Sequence, residues 1–160
     1  MPDPTRKDIL ISSSLDLDDM LCFSLYAASR SVTAVYRPLL DALGLTYPQY
    51  LVMIVLWENG PATVKKISEL LRLDYGTLTP LLKRLEAIGH IARRRRAEDE
   101  RSVEITATEQ GLALRERAAG TPIEMSHALA LDPSQAAQLK YLLHEVIENT
   151  SRHLRERGAA

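Results

Sequence analysis

Apolar residues recur at steps of three and four along much of this chain, and the breaks between such stretches divide it into helices. The first stripe is Leu17, Met20, Leu21, Leu25, Ala28, Val32 and Val35, the period of an amphipathic helix. Pro38 is expected to interrupt it, because proline has no N–H to donate and biases Arg37 away from helical angles. A short segment ending near Gly44 follows. Thr46 and Gln49 stand at capping-box spacing, with Pro48 in the first turn. They predict a core helix through Tyr50, Leu51, Ile54 and Trp57 that stops at Asn59-Gly60-Pro61.

A compact helical pair comes next. Thr63 can cap a short helix with Ile67, Leu70 and Leu71 inward, and Leu73-Asp74-Tyr75-Gly76 reads as the turn. The second helix carries Leu78, Leu81, Leu82, Leu85 and Ile88 on one face and ends at Gly89. Two short helices around a tight turn form a helix-turn-helix. Ile91 to Arg96 and Arg101 to Thr106 then flank a charged tip, Ala97-Glu98-Asp99-Glu100, and Val103 and Ile105 alternate with polar residues as in a hairpin strand. The order predicts a winged helix: a mainly α fold with a small β-hairpin wing.

Beyond the wing, a helix is expected over 109–119 and less regular chain over 120–131. Asp132-Pro133-Ser134-Gln135 supplies an N-cap, a proline at the first helical position and a capping-box glutamine. The stripe Leu139, Leu142, Leu143, Val146, Ile147, Thr150 and Leu154 continues to Gly158. A helix of about 25 residues spans roughly 37 Å. It overhangs a small winged domain, so its stripe needs a partner, and the two terminal helices are expected to form a homodimer interface. The predicted organisation is a loose arm at 1–14, sensor and dimerisation helices at 15–60, a DNA-binding module at 61–107 and further dimerisation helices at 108–160.

Composition narrows the functional classes. Hydrophobic content of 46% and charged content of 26% are those of a soluble globular chain, and no apolar run approaches the roughly 18 residues of a membrane span. Met1-Pro2-Asp3-Pro4 lacks the basic-then-apolar pattern of a secretory signal. The one cysteine cannot close an intrachain disulfide, so a reducing, cytoplasmic setting is expected. His90, His127, His144 and His153 lack the pairing of metal ligands, and no cofactor motif is seen. Residues 60–106 carry ten Lys/Arg against seven Asp/Glu, net +3, whereas the remainder is net −4. A locally basic module on an acidic body suits nucleic-acid binding at one end.

The candidate DNA contacts on the second helix are Thr77, Thr79, Lys83 and Arg84, because that element of a helix-turn-helix enters the major groove. On the wing, Arg93 to Arg96 alternate across a strand, which sets Arg94 and Arg96 on one face. The others are expected to pair with Glu98, Asp99 or Glu100. Arg101 could enter a minor groove, and Asp99 could instead hold it in the wing turn. A dimer would meet half-sites of double-stranded DNA about one helical turn, roughly 34 Å, apart.

With Asp99-Glu100-Arg101 at its wing, the winged-helix core resembles the MarR family of bacterial regulators. Leu21-Cys22-Phe23, Leu25-Tyr26, Tyr36-Arg37-Pro38-Leu39-Leu40-Asp41, Leu45-Thr46-Tyr47-Pro48-Gln49-Tyr50 and Gly76-Thr77-Leu78-Thr79-Pro80 resemble its organic-hydroperoxide resistance (OhrR) type. The likeness covers most of residues 17–106. It implies a dimeric repressor bound to operator DNA and released when organic hydroperoxide oxidises Cys22, with Tyr36 and Tyr47 as hydroxyl partners of the sulfur and Tyr26 nearby. The chain departs from some members in having no second, resolving cysteine, so a low-molecular-weight thiol or over-oxidation is expected to complete the switch. It departs also in Tyr75, where a small polar residue is expected.

The sulfur chemistry sets a geometric condition. An unperturbed cysteine is only about 3% thiolate at pH 7, and the thiolate is the nucleophile. A position near the first turns of a helix favours the anion, and phenol donors stabilise it further. Tyr26 lies one turn from Cys22. Tyr36 is fourteen residues on, about 21 Å along an unbroken helix, so as a partner it must come from the other subunit of an antiparallel pair. Two other readings compete. One is a regulator released by a small phenol or aromatic acid in a cleft lined by Tyr26, Tyr36, Tyr47 and Tyr50, with Cys22 only packed. The other, a thiol peroxidase, gives the basic wing no role.

Overall fold

The computed structural model describes residues 16–96 and 99–158, with side chains outside 95–102. The arm expected at 1–14 and the side chains of Arg96, Glu98, Asp99, Glu100 and Arg101 lie outside the described residues. The elements are α1 (Leu21–Asp41), α2 (Tyr47–Asn59), β1 (Ala62–Thr63), α3 (Val64–Leu71), α4 (Tyr75–Ala87), β2 (Ile91–Arg96), β3 (Asp99–Ala107), α5 (Glu109–Ala118), α6 (Thr121–Leu129) and α7 (Pro133–Gly158). The antiparallel sheet has the order β1-β3-β2, and with α3 and α4 before it the arrangement is a winged helix.

The start of α1 differs from the stripe that predicts it. Leu17–Asp19 form a 3-10 turn, Met20 is extended at φ −89° and ψ 106°, and α1 begins only at Leu21. Asp16 causes the break, because its carboxylate accepts from the Asp18 N–H at 3.2 Å and holds the tighter turn. The end differs too. α1 runs through Pro38 to Asp41, where a break was expected. Only one turn follows the proline, and burial of Leu40, 1% exposed, holds that turn against the core.

Local capping chemistry fixes the next elements. The Thr46 N–H donates to Gln49 Oε1 at 2.8 Å, completing the capping box of α2. Thr63 Oγ1 accepts from the Lys66 N–H at 3.1 Å and opens α3. Thr63 also belongs to β1, a strand too short for alternation to reveal, paired Ala62 to Ile105 and Thr63 to Glu104. The turn between α3 and α4 is shorter than expected. Arg72 takes left-handed angles (φ 53°), Asp74 is the N-cap, and Tyr75 and Gly76 already lie in the helix. Leu78, Leu82 and Leu85 are buried at 0%, 1% and 0%, but Leu70 and Ile88 are exposed. Leu70 falls beside the stripe of Ile67 and Leu71, and Ile88 follows the last helical residue, where the chain has turned away.

Gly89, at φ 81°, passes the chain into β2. β3 begins at Asp99, which pairs with Arg96, so the strand takes in residues expected at the wing tip and starts ahead of Arg101. The hairpin base is clamped to α2 through α5. Thr108 Oγ1 donates to the Gly89 carbonyl at 2.6 Å, and the Thr108 N–H donates to the His90 carbonyl at 3.1 Å. Trp57 Nε1 of α2 donates to the Gly111 carbonyl of α5 at 2.9 Å. A Cβ at Gly111 would collide with the His90 carbonyl and stand 3.1 Å from Met53 Cε.

The chain divides into two compact units at Pro122/Ile123. The core of the first contains Tyr50, Val52, Met53, Ile67, Leu82, Ile91, Ile105 and Leu114. In the second, residues expected to be irregular instead form α6. Asp132 then caps α7, its Oδ1 accepting from the Ser134 and Gln135 N–H groups at 2.8 and 2.9 Å. No residue of α7 is buried, and Leu139, Leu142 and Leu154 are 45%, 48% and 70% exposed. No described helix is long and apolar enough to cross a membrane.

Candidate sensor and nucleic-acid interface

Cys22 is exposed and is the second residue of α1. The Met20 break therefore sets the thiol in the very first turn, where backbone N–H groups lack intrahelical acceptors. Met20 supplies no side-chain cap to them. One turn on, the Tyr26 hydroxyl accepts from Arg30 Nη1 at 3.2 Å, and the Arg30 guanidinium lies 5.5 Å from the Tyr26 ring centroid. A phenol oxygen that accepts from a cation keeps its own hydrogen free to donate.

The other two tyrosines assemble elsewhere. Tyr36 of α1 and Tyr47 of α2 have ring centroids 4.7 Å apart, and Tyr50 joins at 5.9 Å from Tyr36. Burial raises the pKa of all three phenols, and at Tyr36 the neighbouring Tyr47 and Tyr50 raise it further. They remain protonated donors at neutral pH. Cys22 and Tyr36 both lie within α1, which sets them about 21 Å apart along its axis. The structure thus gathers Tyr36 with Tyr47, leaves Tyr26 beside Cys22, and keeps the two groups apart within one chain.

On α4, Thr77, Lys83 and Arg84 are exposed and Thr79 is half-buried. Asp74 redefines Thr77. Its Oδ1 accepts from the Thr77 N–H at 2.8 Å and its Oδ2 from the Thr77 hydroxyl at 2.9 Å. Those bonds to Thr77, backbone first, lower the Asp74 pKa. The hydroxyl hydrogen is committed, so Thr77 faces solvent as an acceptor only. Tyr75, at the first position of α4 and 54% exposed, projects from the same end.

On the wing, Arg94 is exposed and stands opposite Glu104. Arg93 faces the other way, and its Nε lies 3.1 Å from Glu86 Oε2 of α4. The arginines on that face were expected to meet the tip acids, but Arg93 instead ties the hairpin to the helix. Strand alternation together with Glu86, the only acid inside α4, was the available signal. Asp99 opens β3 opposite Arg96; the Arg96 and Arg101 side chains are outside the described residues.

A family profile described as "Transcriptional regulator SarA/Rot" matches residues 34–117. An organic hydroperoxide resistance transcriptional regulator of Bacillus subtilis (strain 168) is 48% identical over 84% of this chain and 91% of its own length. AbfR of Staphylococcus epidermidis, reduced and bound to DNA, is 38% identical with a TM-score of 0.73, covering 86% of this chain and 94% of that one. Overoxidized AbfR, also bound to DNA, has a TM-score of 0.69 at the same identity and coverage. With a lone cysteine at the head of α1 and a winged helix behind it, the chain belongs to the MarR-type transcriptional regulators, in their one-cysteine organic-hydroperoxide resistance branch.

Proposed function

We propose that the chain is a homodimeric cytoplasmic repressor that binds double-stranded operator DNA and leaves it when an organic hydroperoxide oxidises Cys22. It is a regulator rather than a metabolic enzyme. Residues 61–107 contact DNA, through Thr77, Thr79, Lys83 and Arg84 on α4 and Arg94, Arg96 and Arg101 on the wing, with Asp99 shaping the turn. Residues 15–60 and 108–160 dimerise and sense. The observation that carries the reading is the separation, within one chain, of an exposed first-turn thiol on α1 from the protonated phenol pair of Tyr36, at the far end of α1, and Tyr47, on α2. Two α1 helices running antiparallel bring each Cys22 to the partner's Tyr36 and Tyr47.

The chemistry follows from those groups. The Cys22 thiolate attacks one peroxide oxygen, the O–O bond breaks, and the alcohol leaves after taking a proton. The product sulfenic acid no longer offers the charged acceptor that the phenols held. Overoxidized AbfR is bound to DNA, which favours a mixed disulfide with a small thiol as the releasing form here. Moving the population from 1:99 to 99:1 takes about 5.5 kcal/mol of differential stability. A bulky adduct between packed helices supplies strain of that order, and loss of one phenol contact does not.

The test is anisotropy of a labelled duplex obtained by selection on the reduced protein, titrated with cumene hydroperoxide and a thiol. Wild type releases the duplex, and Cys22→Ser stays bound. Equal release from both proteins refutes the redox reading.

A further inference from the structure

A pocket of 440 Å³ lies beside the tyrosine pair, between the C-terminal half of α1 and the start of α2. Its apolar floor is Leu40 and Leu45, 1% and 4% exposed. Its α1 wall carries Arg30 and Arg37, with the Thr33 hydroxyl between them, and Tyr47 closes the α2 side. Arg30 and Arg37 are seven residues apart, so they share a face about 10.5 Å apart along the axis. The α2 N-terminus points its partial positive charge at the same space. Asp41 is the single carboxylate on the wall, and among the described residues Arg37 has no carboxylate within 4.0 Å. Two guanidinium forks around a small apolar floor recognise an organic carboxylate.

We propose that this pocket docks the carboxylate end of the low-molecular-weight thiol that completes the switch, so that the thiol reacting at Cys22 is an anionic one. The assignment rests on the redox reading above, which brings the partner's Cys22 to Tyr36 and Tyr47. Tyr47 belongs both to that pair and to the pocket wall. A thiol held by Arg30 and Arg37 then has its sulfur end at the sulfenic acid. Its thiolate attacks the Cys22 sulfur, an S–S bond forms, the S–O bond breaks, and the hydroxide takes the thiol's proton and leaves as water. The hydroperoxide was the oxidant, and the incoming thiol supplies the reducing electrons.

The experiment oxidises the full-length dimer with stoichiometric cumene hydroperoxide and then follows mixed-disulfide formation by intact mass, using mercaptosuccinate or neutral β-mercaptoethanol. Wild type at low salt is expected to react about tenfold faster with mercaptosuccinate, compared per thiolate, because cationic walls concentrate anions. Arg37→Gln cuts that preference about fivefold, leaving the β-mercaptoethanol and peroxide-consumption rates unchanged. Arg30→Gln also cuts it, but because Arg30 donates to the Tyr26 hydroxyl its peroxide-consumption rate is not used as a control. An undiminished preference in both variants overturns the proposal, as does equal slowing with both thiols. So does a fall in peroxide consumption in Arg37→Gln, which would assign the pocket to the oxidant. If hydroperoxide forms no sulfenic acid at Cys22, the redox reading itself fails. The pocket is then judged on the reduced thiol with anionic dithionitrobenzoate against neutral dithiodipyridine. Loss of the anionic preference in Arg37→Gln retains the carboxylate site, and an unchanged ratio eliminates it.

Discussion

Replacing Gly111 by alanine probes the clamp that seats the wing. The added methyl would overlap the His90 carbonyl oxygen and press Met53 Cε at 3.1 Å. Neither neighbour yields cheaply: the carbonyl already accepts from the Thr108 N–H at 3.1 Å, and Met53 is fully buried. Overpacking of this kind costs about 1–3 kcal/mol. Displacing α5 also strains the Trp57 Nε1 bond to the Gly111 carbonyl, a further contribution of about 1 kcal/mol. Alanine's better helix propensity offsets about 1 kcal/mol. The net expectation is a destabilisation of about 1–3 kcal/mol, or a Tm lowered by roughly 3–10 °C for a chain of this size. Thermal unfolding by circular dichroism at one fixed protein concentration measures it. Gly158→Ala, where a Cβ meets nothing within 4 Å, is the matched control. In a double-mutant cycle, Trp57→Phe and Gly111→Ala should cost less together than the sum of their separate effects, since both damage one bond. A Tm for Gly111→Ala equal to that of the control would refute the close approach.

His90 predicts a pH dependence. It is 7% exposed, its Nδ1 has no hydrogen-bond partner among the described residues, and burial followed by the charge of Arg117 pushes its pKa down. The unfolded chain therefore holds a proton that the folded chain refuses, so stability is full above about pH 6.5 and falls as the pH drops through the folded value. Urea midpoints measured across that window should show a flatter slope for His90→Gln, and an unchanged slope refutes the assignment. Leu142→Glu on α7, at a position 48% exposed in the single chain, tests dimerisation. Losing about 1.5–3 kcal/mol of burial on each side of a two-fold interface raises the dimer dissociation constant at least about a hundredfold. Sedimentation that still finds dimers at the wild-type concentration dependence would exclude α7 from the interface.

Much of the fold was legible because local chemistry and tertiary packing agree. Thr46 with Gln49, Thr63 and Asp132 each start a helix where their side chains satisfy free N–H groups, and Leu78, Leu82 and Leu85 face inward as their spacing demands. The differences arise where neighbouring contacts override local preference. Burial of Leu40 carries α1 past Pro38, and the Asp16 bond to Asp18 splits a stripe that looks continuous. Leu73-Asp74-Tyr75-Gly76 has the composition of a turn, which masks both the cap that Asp74 forms and its hold on Thr77. The two residues of β1 pair with a partner some forty positions away, so no local pattern marks them. For the candidate site, Cys22 and the tyrosines were legible from their resemblance and spacing, and the unbroken α1 supports the separation worked out from helix rise. Arg30 and Arg37 carry no mark in the sequence, because an anion-binding pocket depends on how α1 crosses the start of α2. Gly111 did leave a signal: a glycine inside a helical stretch costs about 1 kcal/mol and marks a close approach.

The rings described above also give the protein an optical readout. Tyr47, Tyr36, Tyr50 and Trp57 follow one another at centroid spacings of 4.7, 5.9 and 6.1 Å. Light absorbed by the tyrosines passes readily to an indole so near. Trp57 is the only tryptophan, and its N–H is bonded to the helix that seats the wing. Its emission therefore looks both ways. Tyrosine-excited intensity registers a shift in the ring run, and the wavelength of the indole band registers water reaching the Gly111 bond. Unlabelled protein in a cuvette can thus be timed at both ends as oxidant is added.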